Sequence, residues 1–300
     1  MSADQLVLLQ TVLSGIMLGC LFGSIAVGLT VKWGMLGIAD FSHISLVLLG
    51  AYLTYTSVVE WGLPIAVPLV GMLPLFALIG VGLQWVFLRF GVRGFMSLLV
   101  TFGLFIVIES VVTLVWSADT LSLRPELPES LRRGIPLPGL AGASVLPAEV
   151  AALATAVVLV GGAAWLLRRT TFGRSVHAMR TDPAMAEVLG VRLTRTAMVV
   201  SGLAAATASV AGLVVAVRMP LTPQLPLEWL GVVVVAALLG GLGRPVGALV
   251  AAIALMVIQN IWSLYLQPSW APVIAFGILF VYLAVQPAIT SLRMRRQVTA

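Results

Sequence analysis

Long charge-free apolar stretches are the feature of this sequence that most constrains its fold. Of 300 residues, only 17 are Lys or Arg and 11 are Asp or Glu, whereas a soluble protein of this length carries roughly 75 charged residues. A helix of about 20 apolar residues crosses the hydrocarbon core of a bilayer. Charge-free stretches of about that length or more cover residues 5–31, 41–59, 61–88, 150–167, 196–217 and 245–292. The chain is therefore predicted to span a membrane several times.

The number of crossings follows from the lengths of these stretches. Residues 95–116 are interrupted only by Glu109, and residues 245–292 are long enough for two crossings. We predict an all-α, polytopic membrane helix bundle of eight or nine segments, some of them broken or re-entrant, in a single domain over residues 1–300. Because no basic residue precedes Lys32, the first segment is expected to be a retained span rather than a signal peptide.

The distribution of arginines predicts the orientation. They cluster at residues 89–93, 168–195 and 293–296, and basic loops of membrane proteins face the cytoplasm. Residues 117–149 mix acids, bases and prolines and are predicted to be the main external loop. The N-terminus is then outside and the C-terminus cytoplasmic, and the net charge of +6 reflects topology rather than nucleic-acid binding.

Two glycine-containing stretches interrupt the apolar pattern, one in each half of the chain. The first, KWGMLGIADFSH, covers residues 32–43, and the second, LLGGLGRPVG, covers residues 238–247. Irregular backbone at membrane depth occurs only where protein or water covers it, and paired breaks point to a transport pathway. The candidate pathway residues are Asp40, Phe41 and His43 in the first stretch and Gly240, Gly241 and Gly243 in the second. Alternatively, both stretches are tight cytoplasmic turns.

Asp40 and His43 are three residues apart and so share a face if this stretch is helical. They could share a proton or a hydrogen bond, but Asp40 also precedes an apolar helix and could cap its backbone N–H groups; we favour the cap. With only two histidines and one cysteine in the chain, zinc binding and Cys-His chemistry are disfavoured.

Three polar residues lie inside predicted spans. Glu109 is expected to face the bundle interior or to be protonated, because a lone ionised carboxylate in lipid is costly. Gln259 and Asn260 form a polar pair in the span that begins near residue 246. They either line a cavity or join helices.

The basic segment 168–195 contains the signals of a short helix. Asp182 followed by Pro183 is a helix start, and Gly190 is a helix stop. The helix between them has fewer than two turns and is too short to be stable alone. This arrangement predicts docking to a cytoplasmic partner; the alternative is a basic loop that lies on anionic lipid.

Four stretches together resemble the permease subunits of branched-chain amino-acid ABC importers, specifically the shorter of the two paired permeases. They are GMLGIADFSHISLVLLGAY at 34–52, TFGRSVHAMRTDPAMAEVLGV at 171–191, LLGGLGRPVGA at 238–248, and Val285-Gln286-Pro287. Asp40 stands where that family usually has asparagine, Ile44 stands where glycine is common, and Lys32-Trp33 replaces an apolar pair.

The resemblance implies a multi-pass protein of the bacterial inner membrane with several partners. These are a second permease in a heterodimer, two cytoplasmic ATPase subunits that bind ATP and Mg²⁺, and an external substrate-binding protein; this chain itself would bind no cofactor. It has no phosphate-binding loop of its own. The segment 168–195 would be the coupling loop that docks on an ATPase. Its candidate residues are Gly173, Arg174, Asp182, Pro183, Ala186, Glu187 and Gly190.

The resemblance implies that the chain carries no enzymatic activity and imports a hydrophobic amino acid. Urea, short amides and small aromatic acids are alternative substrates within similar transporters. A different class is a proton-coupled secondary transporter that uses Asp40, His43 or Glu109 as a relay. An intramembrane enzyme is disfavoured, because Asp40 and His43 lack a third catalytic partner in a recognisable spacing.

Overall fold

The computed structural model describes residues 3–92, 94–136, 144–265, 267, 270 and 273–284. Val285, Gln286 and Pro287 of the C-terminal motif, and the basic cluster 293–296, lie outside the described residues. Within them, the long helices are α1 Ala3–Leu36, α2 Ser42–Tyr55, α3 Ala66–Arg89, α4 Phe95–Trp116, α6 Pro147–Arg169, α9 Leu193–Arg218, α10 Leu225–Gly240, α11 Pro245–Trp262 and α12 Val273–Ala284. Shorter elements are α5 Glu129–Arg132, β1 Ile135–Pro136, β2 Ser144–Val145, α7 Thr171–Thr181 and α8 Pro183–Val188.

The helices confirm a polytopic membrane bundle. Among the described residues, seven helical segments are long and apolar enough to cross a bilayer, and α2 reaches this length together with the π-helical turn Thr56–Glu60 that continues it. Two further apolar helices, α10 and α12, are shorter. These elements match the predicted eight or nine segments.

The bundle has a central layer and a lipid-facing layer. Helices α1, α2 and α9 are mostly buried, whereas α3, α4 and α6 expose most of their apolar side chains. Val70 on α3 and Leu114 on α4, for example, are largely exposed. This arrangement is stable because hydrocarbon surrounds the outer helices, so that apolar side chains face outward without cost.

Small residues allow the central helices to approach each other closely. Gly15, Gly19 and Gly23 recur every four residues along α1, and a Cβ at each would meet α11. This repeat is also present in the sequence, where a glycine at every fourth position in an apolar helix indicates a packing face. Gly212 of α9 packs in the same way against the backbone of α2.

Within the range 117–149, predicted as a loop, the described residues 117–136 and 144–149 form a cap at one end of the bundle. Leu121 and Leu221 exchange two backbone hydrogen bonds of 3.0 and 2.7 Å, and β1 pairs with β2 in an antiparallel ladder. Glu149 forms a partly buried ion pair of 3.0 Å with Arg218 at the end of α9. The cap is thus tied to the last turn of a central helix.

The close contact between α1 and α11 predicts that Gly19→Ala destabilises the protein. Its new Cβ would overlap the backbone of Ile253, and such overpacking costs about 1–3 kcal/mol. Gly103→Ala on α4 is the control, because its Cβ would meet open space. Thermal unfolding in detergent should show a lower midpoint for Gly19→Ala only; equal midpoints would contradict the close packing.

Candidate functional site

The first break is shorter than the sequence predicted. Helix α1 continues through Lys32 and Gly34 to Leu36, and α2 begins at Ser42. Gly37 adopts a left-handed conformation with φ of 69° and ends α1. Gly34 lies within α1, and its lack of a side chain allows the second stretch to approach closely: a Cβ there would meet the backbone of Gly243.

A buried ion pair joins the two sides of this break. The Lys32 ammonium donates a hydrogen bond of 2.5 Å to Oδ2 of Asp40, and the two side chains are 3 % and 4 % exposed. The Ser42 hydroxyl donates to the other carboxylate oxygen. The Lys32 Nζ also lies 5.3 Å from the centre of the Phe87 ring on α3, within the range of a cation–π contact.

This ion pair corrects the predicted role of Asp40 as a helix cap. Phe41 occupies the N-cap position of α2, and no side chain caps this helix end. Instead, Thr101 of α4 closes the break: its hydroxyl donates to the Ala39 carbonyl at 2.9 Å and accepts from the Phe41 N–H at 3.2 Å. Thr101 was missed because it lies on another helix and carries no local signal.

The His43 side chain is buried but is not hydrogen-bonded to the Asp40 side chain. Its Nε2 lies 3.1 Å from the Ile25 carbonyl oxygen, and its ring packs where a Cβ on Gly28 would be. The His43 N–H donates to the Asp40 carbonyl at 3.3 Å, but among the hydrogen bonds of the described residues none joins the imidazole to the Asp40 carboxylate. The predicted shared proton therefore has no direct route in this structure.

The second break packs on α1, beside the first. Helix α10 ends at Gly240 and α11 begins at Pro245, and between them Gly241 and Gly243 have positive φ of 87° and 77°. The Gly243 N–H donates to the Thr30 carbonyl at 2.9 Å. The structure thus brings the two interrupted stretches together, and their role in a pathway stays a prediction.

The other predicted pathway residues lie elsewhere. Glu109 is half-buried, on the same stripe of α4 as the buried Phe105 and Val112. Gln259 and Asn260 line a cavity of about 230 Å³ that also contacts Leu18. Leu18 and Thr30 are twelve residues apart on α1, about 18 Å by helical rise, so this cavity is separate from the two breaks.

The segment 168–195 is mostly helical. Thr170 caps α7 by accepting the Gly173 N–H at 3.0 Å. Gly173 is buried, and a Cβ there would meet the carbonyls at the end of α6. Along α7, Val176 and Met179 face inward, and polar side chains face outward; they include Arg174, His177 and Arg180.

Helix α8 confirms the predicted start and stop signals. The Asp182 carboxylate accepts the Met185 N–H at 3.0 Å, and Pro183 begins the helix. At the other end Gly190 has φ of 85°. Its N–H donates to Glu187, and the Val191 N–H donates to Ala186. This pair of hydrogen bonds is a Schellman motif, which makes a six-residue helix rigid.

The exposed tip of α8 is apolar. Met185, Val188 and Leu189 are 55 %, 81 % and 74 % exposed, whereas Ala186 is 1 % exposed. Ala186 is one of the predicted coupling residues, and the structure places it on the buried, inner face of α8. We call Met185, Val188 and Leu189 the apolar tip.

A cavity of about 390 Å³ separates α8 from the membrane helices. Pro183 and Glu187 of α8 form one wall, and Leu36 and Ile38 beside the first break form another. The segment also reaches the second break, because a Cβ on Gly243 would lie 3.3 Å from Nη1 of Arg180. Both breaks are therefore neighbours of the α7 and α8 segment.

Comparison with known proteins decides the family. The family described as the permease component of branched-chain amino acid transport systems matches residues 11–283. The chain belongs to this family. The permease is similar to the high-affinity branched-chain amino acid transport system permease protein LivH of Escherichia coli, with 25 % identity over 96 % of each chain. It is also similar to BraD of Pseudomonas aeruginosa, a protein of the same description, with 24 % identity over 93 % of this chain and 94 % of BraD.

A third relative carries a different name. The autoinducer 2 import system permease protein LsrC of Klebsiella pneumoniae is 36 % identical over 151 residues, which are 48 % of this permease and 42 % of LsrC. The comparison with solved structures found no match.

The buried ion pair predicts that Asp40→Asn strongly destabilises the permease. The substitution leaves the Lys32 ammonium buried without a counter-charge, which costs about 3–5 kcal/mol. The double variant Lys32→Met with Asp40→Asn removes both charges and should recover most of the loss. Glu129→Gln is the control, because it breaks the exposed Arg133–Glu129 pair and should cost less than about 1 kcal/mol.

Thermal unfolding of the four proteins in detergent measures these effects. The expected order of midpoints places Asp40→Asn lowest, with the double variant and Glu129→Gln close to the unsubstituted permease. A double variant no more stable than Asp40→Asn alone would show that the two side chains do not compensate each other.

Proposed function

We propose that this permease is the membrane subunit of an ATP-driven importer of branched-chain or other hydrophobic amino acids. The observation that carries the proposal is α8, a rigid, capped helix whose apolar tip projects from the basic segment 168–195. Family membership and the names of LivH and BraD support the substrate class. ATP and Mg²⁺ would be bound by a separate cytoplasmic ATPase subunit.

The apolar tip suits insertion into a groove of a partner protein. Val188 is 81 % exposed. Contact between an apolar side chain and water is unfavourable, and docking into a groove would remove this contact. Short helices that dock by an apolar face are a recurring mode of recognition. The cap at Asp182 and the Schellman motif at Gly190 form α8 in advance, so docking would cost little conformational entropy.

Movement of α8 would be transmitted to the two breaks. The inner face of α8 lies across the cavity from Leu36 and Ile38, and Arg180 of α7 lies beside Gly243. When ATP binding draws two ATPase subunits together, α7 and α8 would shift as a rigid unit against these breaks. The permease would then alternate its access by a population shift between two packed arrangements.

Three further kinds of partner complete the proposal. A second permease would form the other half of the pathway, an external binding protein would deliver substrate, and a second ATPase would serve the second permease. The cap would face outside and offer a surface to the binding protein. The N-terminus would be outside and the C-terminus cytoplasmic in the bacterial inner membrane.

Reconstitution separates the proposed function from proton-coupled transport. In proteoliposomes that contain all partners, uptake of radiolabelled leucine should require ATP and the binding protein. Uptake driven by a pH gradient without an ATPase would instead support a proton relay and overturn the proposal. Competition with isoleucine, phenylalanine, urea, benzoate and autoinducer 2 would rank the substrate classes.

The docking role predicts that Val188→Asp prevents assembly with the ATPase. A carboxylate would have to be desolvated in an apolar groove, so co-purification of the ATPase should fall at least tenfold while membrane insertion stays normal. Leu131→Asp at the opposite end is the control, because Leu131 is also exposed. Normal co-purification with Val188→Asp would contradict the docking role of the tip.

The orientation predicts which cysteines a membrane-impermeant maleimide labels in spheroplasts. Arg133→Cys in the cap should react in intact spheroplasts, and Val188→Cys should react only after permeabilisation. The native Cys20 is 1 % exposed and should contribute little background. The reverse labelling pattern would overturn the proposed topology.

A further inference from the structure

A narrow apolar groove opens on the outer surface of the bundle between α1, α6 and α9. Its volume is about 210 Å³, and nearly all of its lining is apolar. The exposed side chains of Val158 and Leu203 border it, and Gly162 leaves space along α6. The groove lies within the membrane-spanning part of all three helices, so hydrocarbon rather than water surrounds it.

The shape of the groove suits a chain rather than a compact ligand. Its lining follows α6 from Val158 to Leu167, about 13 Å by helical rise. Phe172 of α7 closes the end near the segment 168–195. Because lipid tails are as apolar as the groove, an acyl chain would gain little from the hydrophobic effect and would be held by close packing.

An unpaired cation lies beside the end of the groove. Arg168 and Arg169 follow the lining residue Leu167 directly and are exposed. With about 3.6 residues per turn, Arg169 lies on the side of α6 that lines the groove, and Arg168 lies on the opposite side. Within the part of the chain that the structure describes, neither forms an ion pair. Arginines at the membrane surface attract anionic lipid headgroups.

We propose that this groove binds one acyl chain of an anionic phospholipid whose phosphate contacts Arg169. The apolar walls and the basic end match the two parts of such a lipid. A side chain of a second permease is the competing occupant.

The bound chain would contact parts of the molecule that respond to the cytoplasmic segment. Phe172 belongs to α7, and Gly28 lines the groove on α1. Gly28 is in close contact with His43 of α2, whose ring occupies the space of the missing side chain. A lipid in the groove would therefore brace α7, α1 and the start of α2 against each other.

Native mass spectrometry of the full chain tests the lipid site. The purified permease is titrated with phosphatidylglycerol or phosphatidylcholine of identical acyl chains, and retained lipid is counted. We expect tighter binding of phosphatidylglycerol, and weakening of about fivefold for Arg169→Gln but not for the control Arg168→Gln. Equal retention of the two lipids, or no effect of Arg169→Gln, would overturn the proposal.

Two adjacent glycines on α6 provide a matched pair of groove variants. Gly161 and Gly162 both have open space for a Cβ, but only Gly162 lines the groove. Gly162→Leu should lower phosphatidylglycerol retention several-fold, whereas Gly161→Leu should not. Both should unfold at the temperature of the unsubstituted chain, because neither leucine meets a neighbouring atom at its Cβ.

The same variants identify a protein occupant if there is one. If Gly162→Leu reduces co-purification of the second permease and leaves phosphatidylglycerol retention unchanged, the groove belongs to an interface between permeases and the lipid proposal is wrong. Identical retention by Gly161→Leu and Gly162→Leu would also overturn it. Crosslinks from a photoactivatable acyl chain that fall outside α1, α6, α7 and α9 would do the same.

Discussion

The pairing of two buried charges, Lys32 and Asp40, determines how the first break is held. Either charge alone would be costly to bury away from water, but together they neutralise each other. Ser42 donates a hydrogen bond to the carboxylate, and the Phe87 ring contacts the ammonium. The pair links the end of α1 to the start of α2 across irregular backbone. Lys32 and Asp40 are both among the departures from the family pattern noted in the sequence, and the structure brings them into contact.

Helix α1 is the element around which the rest is arranged. Its glycines at every fourth position pack on α11, Gly28 leaves room for His43, and Thr30 and Gly34 hold the second break. Irregular backbone within a membrane must be covered by protein or water; α1 covers the second break, and Thr101 of α4 covers the first. The α7 and α8 segment lies next to both, so a change at α8 reaches the interrupted stretches through few intermediate contacts.

Features with local causes were predictable. The spans follow from charge-free length, and the start and stop of α8 follow from Asp182, Pro183 and Gly190, because a cap depends on residues a few positions away. Features that depend on distant contacts were not. Thr101 closes a break about sixty residues earlier in the chain, Ala186 faces inward rather than outward, and Asp40 binds Lys32 instead of capping its own helix.

The sequence by itself determined that this chain is a helical membrane protein with two breaks and one short capped helix. Hydropathy, arginine placement and capping residues act over one helix length or less, so they can be read without a fold. Only the tertiary structure decided which polar groups contact each other, because a buried polar group is satisfied by partners that can come from other helices. It also decided that the two breaks adjoin each other, and that Gln259 and Asn260 line a cavity apart from them.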